Sequence, residues 1–275
     1  MNHWHFPLAR LGFHVAIFMA TSMAMSVSMP VHATAPDRGE AFTASDIRDL
    51  RQTDEQVSAS WQWFGSLGAA FIRAEDGTRL WVTPFALDAR LSRATTLTLD
   101  GDGFGRIALD GTTTRGFNNV TLIASHVVYR DDASRLRLAV GATAPGSSGI
   151  GSRGSKHRFS ASYSRTLSAH WALGLSAKLT RRNHEPRSGE SRMEQSGRLQ
   201  TTYTFDERQP ASLLPPVLVL QLERDHRRGA GGLTQATARY EFPLTPRLGA
   251  SIGFTRGLTA GLRDNTFAID MLFGF

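Results

Sequence analysis

Apolar and polar residues alternate one by one along most of the chain from residue 57 onward, in segments separated by Gly, Pro, Asp, Asn and Ser. A β-strand has a side-chain period of two, so each segment presents one apolar face and one polar or small face. Pro84 weakens the second segment or marks a bulge in it. The long polar segment 206–216 leaves ten or fourteen strands as alternatives to the twelve that the pattern predicts. The predicted strands are 57–72, 79–89, 95–107, 119–129, 135–144, 157–166, 171–181, 194–205, 217–225, 234–242, 248–255 and 265–275.

The last segment indicates the fold class. Phe267, Ile269, Met271, Phe273 and Phe275 fall on one face of the strand, and smaller or polar residues fall on the other. This ending resembles the terminal strand of Gram-negative outer-membrane β-barrels, which the barrel-insertion machinery recognises. The resemblance implies an all-β fold, a transmembrane antiparallel β-barrel with Phe275 as its insertion signal. The alternative is an edge strand of a soluble β-sandwich.

The first 35 residues have the features of a secretory signal peptide. A weakly basic start precedes an apolar run over 11–24, and Ala33-Thr34-Ala35 is a small-residue cleavage site. A membrane anchor is the alternative, but the run is short beside the roughly 20 residues that a spanning helix needs. We therefore expect a signal peptide at 1–35, a periplasmic lead-in at 36–56 and an outer-membrane barrel at 57–275.

Composition narrows the chemistry further. The chain contains no cysteine, so it forms no disulfide and no thiolate metal site. A hydrophobic content of 41% and a mean hydropathy of −0.23 argue against a helical membrane protein and suit a barrel, in which only alternate residues face lipid. The net charge of +7 calls for an acidic partner. For an exported chain we expect that partner to be outer-membrane lipid and lipopolysaccharide rather than nucleic acid.

Charged residues in the middle of the predicted strands are expected to face inward. A Lys or Arg that faces lipid at the membrane midplane costs about 2–4 kcal/mol. Inside a narrow lumen the same charges pair with each other or with water and set ion selectivity. Eight residues are predicted to line the lumen: Arg137, Arg158, Lys178, Arg198, Glu223, Arg239, Glu241 and Asp270.

Aromatic residues near the predicted strand ends suit the belts that Trp and Tyr form at membrane–water interfaces. Ordinary core aromatics are the alternative interpretation. The candidates are Trp61, Trp63, Trp81, Tyr163, Trp171, Tyr203, Tyr240 and Phe242.

The sequence predicts no catalytic residue, cofactor or metal. Ser125 and His126 are adjacent, and neighbours on a strand point to opposite faces, so they cannot act together as a hydrolase pair. The segment 100–103, Asp-Gly-Asp-Gly, matches part of a calcium loop but lacks the remaining ligands, and a solvated strand end is the preferred interpretation. The histidines are scattered without metal-ligand spacing.

Arginines are frequent in the predicted outer loops and outer strand ends. A guanidinium group makes bidentate contacts with phosphate. Arg181, Arg182, Arg227 and Arg228 are therefore candidates for contacts with lipopolysaccharide phosphates. The alternative is ordinary solvated loop charge.

The fifth predicted strand runs into a Pro-Gly segment and a Gly-rich turn over 140–152, with the sequence VGATAPGSSGIGS. Over roughly 79–275 the chain resembles the transporter family of the phenol meta-degradation pathway. The resemblance implies a barrel that passes small, often hydrophobic or aromatic, compounds, and it implies no catalytic residues.

Together these features predict a channel that passes small-molecule solutes passively through a narrow lumen. One alternative is a closed structural barrel that acts through its extracellular loops. A second alternative is an outer-membrane lipid hydrolase.

Overall fold

The computed structural model describes residues 63–74, 77–109, 112–144, 155–183, 192–205, 216–227, 232–245, 247–259 and 264–274. The expected signal peptide at 1–35, the lead-in at 36–56 and the terminal Phe275 lie outside these ranges. Within these ranges, the chain forms no helix of the length and apolarity that a membrane crossing needs.

The described residues form strand segments whose polar–apolar alternation follows the sequence pattern. The segments are β1 (Trp63–Arg73), β2 (Arg79–Val82), β3 (Phe85–Arg90), β4 (Thr95–Gly101), β5 (Phe104–Leu109), β6 (Thr112–Phe117), β7 (Val120–Arg130), β8 (Ser134–Ala144), β9 (Lys156–Thr166), β10 (Trp171–Arg182), β11 (Arg192–Thr204), β12 (Val217–Arg227), β13 (Gly232–Thr245), β14 (Leu248–Gly257) and β15 (Asn265–Gly274).

These segments make a barrel of twelve strands, because three long strands are each divided in two. β2 and β3 share one strand and both pair with β1. β4 and β5 share the next strand, and β6 and β7 share the one after it. From β7 to β15 each strand pairs antiparallel with its neighbour in sequence. The predicted number of twelve strands is confirmed.

Pairing between the first and last strands closes the sheet. β1 and β15 share ten antiparallel residue pairs, from Phe64 opposite Gly274 to Arg73 opposite Asn265. Among the described residues β6 pairs only with β5, and the rest of the closed sheet has no open edge. The backbone groups of this wall therefore find partners within it, as a wall in hydrocarbon requires. Closure also excludes the β-sandwich. We call the rim near Phe64 and Gly274 the lower rim, and the rim near Arg73 and Asn265 the upper rim.

The interruption between β2 and β3 has a local cause. Pro84 has no N–H to donate to the ladder. The N–H of Thr83 donates to the carbonyl of Phe104 at 3.0 Å, and the N–H of Phe104 donates to Oγ1 of Thr83 at 2.9 Å. Gly103, beside this contact, has a φ of 56°, which glycine adopts without strain. The sequence placed a weak point or bulge at Pro84, and the strand is interrupted there.

The hairpin formed by β5 and β6 continues the ladder of β4 and β7 past the upper end of β8. Phe104 lies opposite Phe117, in the same register that places Thr95 opposite His126. β8 ends at Ala144, opposite Val120. The sequence pattern predicts a connection over 108–118, and β6 lies within it.

The two faces of the barrel wall have opposite chemistry. The outer face carries exposed large apolar side chains, and the inner face carries buried polar and charged ones. This arrangement is the reverse of that in a water-soluble protein and suits a wall surrounded by lipid. Exposed apolar residues of the outer face include Leu67, Phe71, Leu199, Leu220, Leu222, Ile252, Phe254, Phe267, Ile269 and Met271.

Candidate functional site: the inner wall of the barrel

The structure places all eight predicted lumen residues on the face opposite the exposed apolar side chains. Arg158 and Lys178 are half-buried. The other six have exposures of 2% to 8%: Arg137, Arg198, Glu223, Arg239, Glu241 and Asp270.

Three of the eight residues meet in one charged cluster on β13 and β15. Arg239 lies between two carboxylates, with Nε 3.1 Å from Oε1 of Glu241 and Nη2 3.4 Å from Oδ2 of Asp270. The hydroxyl of Ser251 on β14 donates to the same Asp270 oxygen at 2.9 Å. We call Arg239, Glu241, Ser251 and Asp270 the Arg239 cluster. Its members are buried, so their charges depend on one another for compensation.

Gly68 on β1 makes room for this cluster. It lies directly opposite Asp270 in the closing pair of strands. A Cβ at position 68 would collide with Oδ1 of Asp270 and would lie 2.7 Å from the carbonyl oxygen of Ile269. The closing seam can therefore hold an inward carboxylate only because its partner has no side chain.

A second ion pair joins β11 to β12. Nη2 of Arg198 donates to Oε2 of Glu223 at 2.9 Å, and both side chains are more than nine-tenths buried. The amides of Gln221 and Gln235 donate to the same Glu223 oxygen at 3.2 Å and 3.5 Å. The sequence alternation put these two glutamines on the inner faces, but it gave no indication that they share one carboxylate.

A cleft runs along the inner faces of β9 to β12. Its empty volume is about 470 Å³, including space that is open to solvent. Three cationic side chains, several serine hydroxyls and one carboxylate dominate its wall. The lining residues are Arg158, Ser160, Ser162, Gly174, Ser176, Ala177, Lys178, Ser196, Arg198, Gln200 and Glu223.

The inner wall of β1 to β5 differs from this cleft. Ala70, Leu80 and Val82 are 0–5% exposed and pack against Ile72 and Ile107 in a small apolar core. Inward apolar groups on these strands were not foreseen as a cluster, because they come together only across three neighbouring strands.

The acidic segment at 100–103 also lies inside the barrel, and the prediction of a solvated strand end is wrong. Asp100 is fully buried and Asp102 is 6% exposed. Asn118 lies between β6 and β7, and its amide donates to Oδ2 of Asp102, between β4 and β5, at 3.0 Å. The segment follows the inward alternation of β4 and then the bend at Gly103, so it cannot reach solvent as an open strand end would. Among the described residues no group of three or more His, Asp or Glu side chains could hold a metal ion.

The arginines predicted to contact lipopolysaccharide differ in their surroundings. Arg181 is exposed at the upper end of β10. Arg182, the next residue, is half-buried and forms an ion pair with Glu194, with Nε 2.9 Å from Oε1. The side chain of Arg227 and the whole of Arg228 lie outside what the structure describes.

Aromatic residues form a continuous band on the outer face at the lower rim. The ring centroids of Trp171 and Tyr203 are 4.8 Å apart, and those of Tyr203 and Phe205 are also 4.8 Å apart. The band continues from Phe205 to Tyr240 at 5.9 Å and from Tyr240 to Phe242 at 5.7 Å. Its position at strand ends is that of an interfacial belt. Trp61, another candidate, lies outside the described residues.

Ser125 and His126 lie on opposite faces of β7. The hydroxyl of Ser125, 7% exposed, donates to the carbonyl of Thr96 inside the barrel at 3.4 Å. His126 is exposed on the outer face, with Nδ1 2.9 Å from the Thr95 hydroxyl. The two side chains therefore cannot form a nucleophile–base pair.

Solved structures with a similar fold include outer-membrane porins. The chain resembles the NanC porin with a TM-score of 0.54 at 11% identity, over 77% of this chain and 100% of NanC. It resembles the KdgM porin with a TM-score of 0.51 at 10% identity, over 76% of this chain and 99% of KdgM. A structure of KdgM in complex with oligogalacturonate gives a TM-score of 0.52 at 10% identity, with the same coverage. No protein-family model matches the sequence, and no curated protein matches it. The barrel has the fold of the outer-membrane porins.

Proposed function

We propose that this chain is an outer-membrane channel that passes small polar solutes passively, with a preference for anions. The observation that carries this proposal is the cleft along β9 to β12. It brings Arg158, Lys178 and Arg198 together against the single carboxylate of Glu223, which leaves a net positive wall. A positive wall attracts anions and repels cations, so it selects by electric field as well as by size.

Passage also requires groups that form hydrogen bonds with the solute, and the serine hydroxyls of the cleft supply them. Ser160, Ser162 and Ser176 each offer a donor and an acceptor. Such groups replace part of the hydration shell of a solute that enters a narrow space, without holding it too tightly to leave. The KdgM porin, which shares this fold, has been solved with oligogalacturonate, an acidic sugar chain. Short acidic sugars are therefore suitable test solutes for this channel.

The proposed location rests on the outer face of the barrel. Its exposed apolar side chains and its aromatic band need a lipid environment. The expected signal peptide and Phe275 provide the export and insertion signals for that location. Replacing Phe275 with Ala should lower the amount of assembled barrel in the outer membrane, through weaker recognition by the insertion machinery.

The resemblance to the transporter family of the phenol meta-degradation pathway suggests hydrophobic or aromatic solutes, and this stays a prediction. The inner apolar residues Leu80 and Val82 are packed and buried, whereas the cleft is polar. We therefore favour polar anions. In the assay below, block of the channel current by phenol but not by trigalacturonate would favour the family prediction instead.

The first experiment is single-channel recording from the refolded mature chain in a planar bilayer. We expect discrete conductance steps with anion selectivity, and block by trigalacturonate but not by neutral maltotriose. Lys178→Gln and Arg158→Gln should each lower the anion selectivity. Arg165→Gln is the matched control, because Arg165 lies on the same strand as Arg158 but is exposed at the lower rim. Unchanged selectivity in both cleft variants would refute the proposed lining.

A closed barrel that acts through its outer loops is the second candidate. Gln200, Glu241 and Ser251 are almost fully buried, so side chains fill the barrel interior at these positions. A silent bilayer, from protein that shows the folded migration on an unboiled gel, would favour this candidate over the channel.

A further inference from the structure

Four arginines gather on the outer face of the barrel at the upper rim. Arg73 is on β1, Arg79 on β2, Arg106 on β5 and Arg115 on β6, and all four side chains are exposed. We call these four residues the arginine patch. The sequence does not indicate this patch, because the four residues are far apart along the chain and become neighbours only through strand pairing.

The pairing within the patch sets like charges side by side. Arg73 lies directly opposite Arg79, and Arg106 lies directly opposite Arg115. Trp81, two residues after Arg79 on the same face, lies opposite Arg106 and joins the two pairs. Directly opposed like charges destabilise a sheet. Two such pairs on adjacent strands therefore form a site that gains from a bound anion.

Aromatic side chains lie directly below the arginines on the same outer face. Phe71 lies opposite Trp81, and Phe104 lies opposite Phe117 with ring centroids 5.9 Å apart. All four are exposed, from 38% for Phe104 to 62% for Phe117. Along each of these strands, the outer face thus changes from apolar to cationic over two residues, a distance of about 7 Å. A membrane lipid shows the same change, from apolar acyl chain to charged headgroup.

The upper rim, where Arg181 lies near the end of β10, is the end of the barrel that the sequence predicts to face the cell exterior. We propose that the arginine patch at this rim binds the phosphate groups of the outer-leaflet glycolipid, lipopolysaccharide, while the aromatic residues below it contact the acyl chains. Each guanidinium offers a planar fork of N–H donors that matches a phosphate. This site differs from the one expected at Arg181 and Arg182, where Arg182 is already engaged by Glu194. The proposal rests on the outer-membrane location in the proposed function but not on the channel activity.

The test measures binding of bisphosphorylated lipid A to the refolded mature chain in a neutral detergent, by native mass spectrometry. The variant changes all four patch arginines to Gln. We expect its affinity to fall by at least about tenfold, because charge-assisted hydrogen bonds to phosphate carry most of the binding. The matched control changes four exposed arginines of the lower half of the barrel to Gln and should bind within about twofold of the wild type. The control residues are Arg93, Arg130, Arg165 and Arg247.

Two further arms of the experiment test which chemical group accounts for the binding. Lipid A without phosphates should bind weakly to both the wild type and the patch variant. If the wild type binds this lipid as tightly as it binds bisphosphorylated lipid A, contacts with the acyl chains are sufficient and the proposal is overturned. Inorganic phosphate at millimolar concentration should not displace lipid A. Displacement would indicate a free-phosphate site and would also overturn it.

Folding and channel function are checked separately. Each variant must show the folded migration on an unboiled gel. If the fourfold variant fails to fold, the pairs Arg73→Gln with Arg79→Gln and Arg106→Gln with Arg115→Gln replace it, and each should lose part of the affinity. Glu75, Asp76 and Asp110 are close to the patch arginines in the sequence and lie outside the described residues. If these carboxylates already neutralise the patch, the folded variants will bind lipid A like the wild type, and the proposal fails.

Conductance should be unchanged in the patch variants, because the patch lies on the outer face of the barrel. The lipid A test therefore stands even if the chain conducts no ions.

Discussion

Because Gly68 has no side chain, the pairing of β1 with β15 leaves room for the inward carboxylate of Asp270. Gly68→Ala should destabilise the barrel by about 1–3 kcal/mol, because the new Cβ meets the backbone carbonyl of Ile269, which cannot move away cheaply, as well as Asp270. Urea unfolding of the chain in lipid vesicles, followed by tryptophan fluorescence, measures the change. Gly253→Ala is the control, since the nearest atom there is Cγ of Arg239 at 3.7 Å, an ordinary contact. Equal midpoints for the two variants would contradict the role given to Gly68.

Arg239 carries the charge balance of two buried carboxylates. Arg239→Met should cost about 3–5 kcal/mol, because it removes the guanidinium that lies beside Glu241 and Asp270 in a buried site. Adding Glu241→Gln and Asp270→Asn to that variant should recover a large part of the loss, since the uncompensated charges are then gone. The same urea titration measures both variants. If the triple variant is no more stable than Arg239→Met, charge compensation is not what Arg239 contributes.

At the scale of one element, the turn between β7 and β8 shows how a short connection at the lower rim is held. Oδ1 of Asp131 accepts the N–H groups of Ala133 and Ser134 at 2.9 Å and 2.5 Å, and Oδ2 accepts the Tyr129 hydroxyl at 2.6 Å. The Tyr129 hydroxyl, followed by the backbone N–H of Ala133, lowers the pKa of Asp131. Asx-type turns of this kind fix the strand register.

The lowered pKa sets the direction of a pH effect in this turn. A carboxyl whose folded pKa is depressed stabilises the fold above its unfolded pKa of about 4, and this contribution is lost as the pH falls through the folded pKa. Protection of the Ser134 amide from hydrogen exchange, corrected for intrinsic rates, should therefore decrease below about pH 4. Asp131→Asn should remove this pH dependence. If the protection of the Ser134 amide in the wild type stays constant down to the lowest pH at which the barrel remains folded, the carboxylate does not hold the turn.

The element that the sequence did not predict is β6, and the reason is physical. Its residues Thr112 to Phe117 include three threonines in a row and show no apolar alternation. The segment becomes a strand because β5 offers it a ladder in the register already set by β4 and β7. β9 and β10 were predicted to within one residue, because serine or leucine alternation marks their faces. The short segment 167–170 and the polar or Gly-rich segments 145–155 and 182–192 mark their ends.

At the scale of the whole molecule, closure through β1 and β15 is the feature to test. The chain has no cysteine, so paired cysteines report on the seam without interference. Ala70 lies opposite Ala268, and Ala69 lies opposite Ile269. Neighbouring pairs in an antiparallel ladder alternate between wide and close spacing, so one of the two cysteine pairs has disulfide geometry. We expect that pair to form a disulfide, so that the boiled, non-reduced chain migrates faster on a gel. Single-cysteine variants are the control, and folded protein in which neither pair oxidises would contradict closure.

The sequence by itself predicted most strand positions, twelve as the preferred number of strands, and the side of the wall on which most strand residues lie. All of these follow from the period of two, which is a property of a single strand, and from turn residues that end it. Arg158, Lys178 and Asp270 could be assigned to the inner face on that basis alone.

The tertiary structure decided which inward residues meet and which surfaces form. Arg239 and Asp270 lie on different strands, separated by β14, and Arg73 reaches Arg106 only through β2. Such neighbours depend on cross-strand register and on closure, which arise from pairing between distant parts of the chain. The burial of Asp100, the space left by Gly68 and the arginine patch all follow from that pairing, because a single strand fixes the face of a side chain but not the side chains across from it.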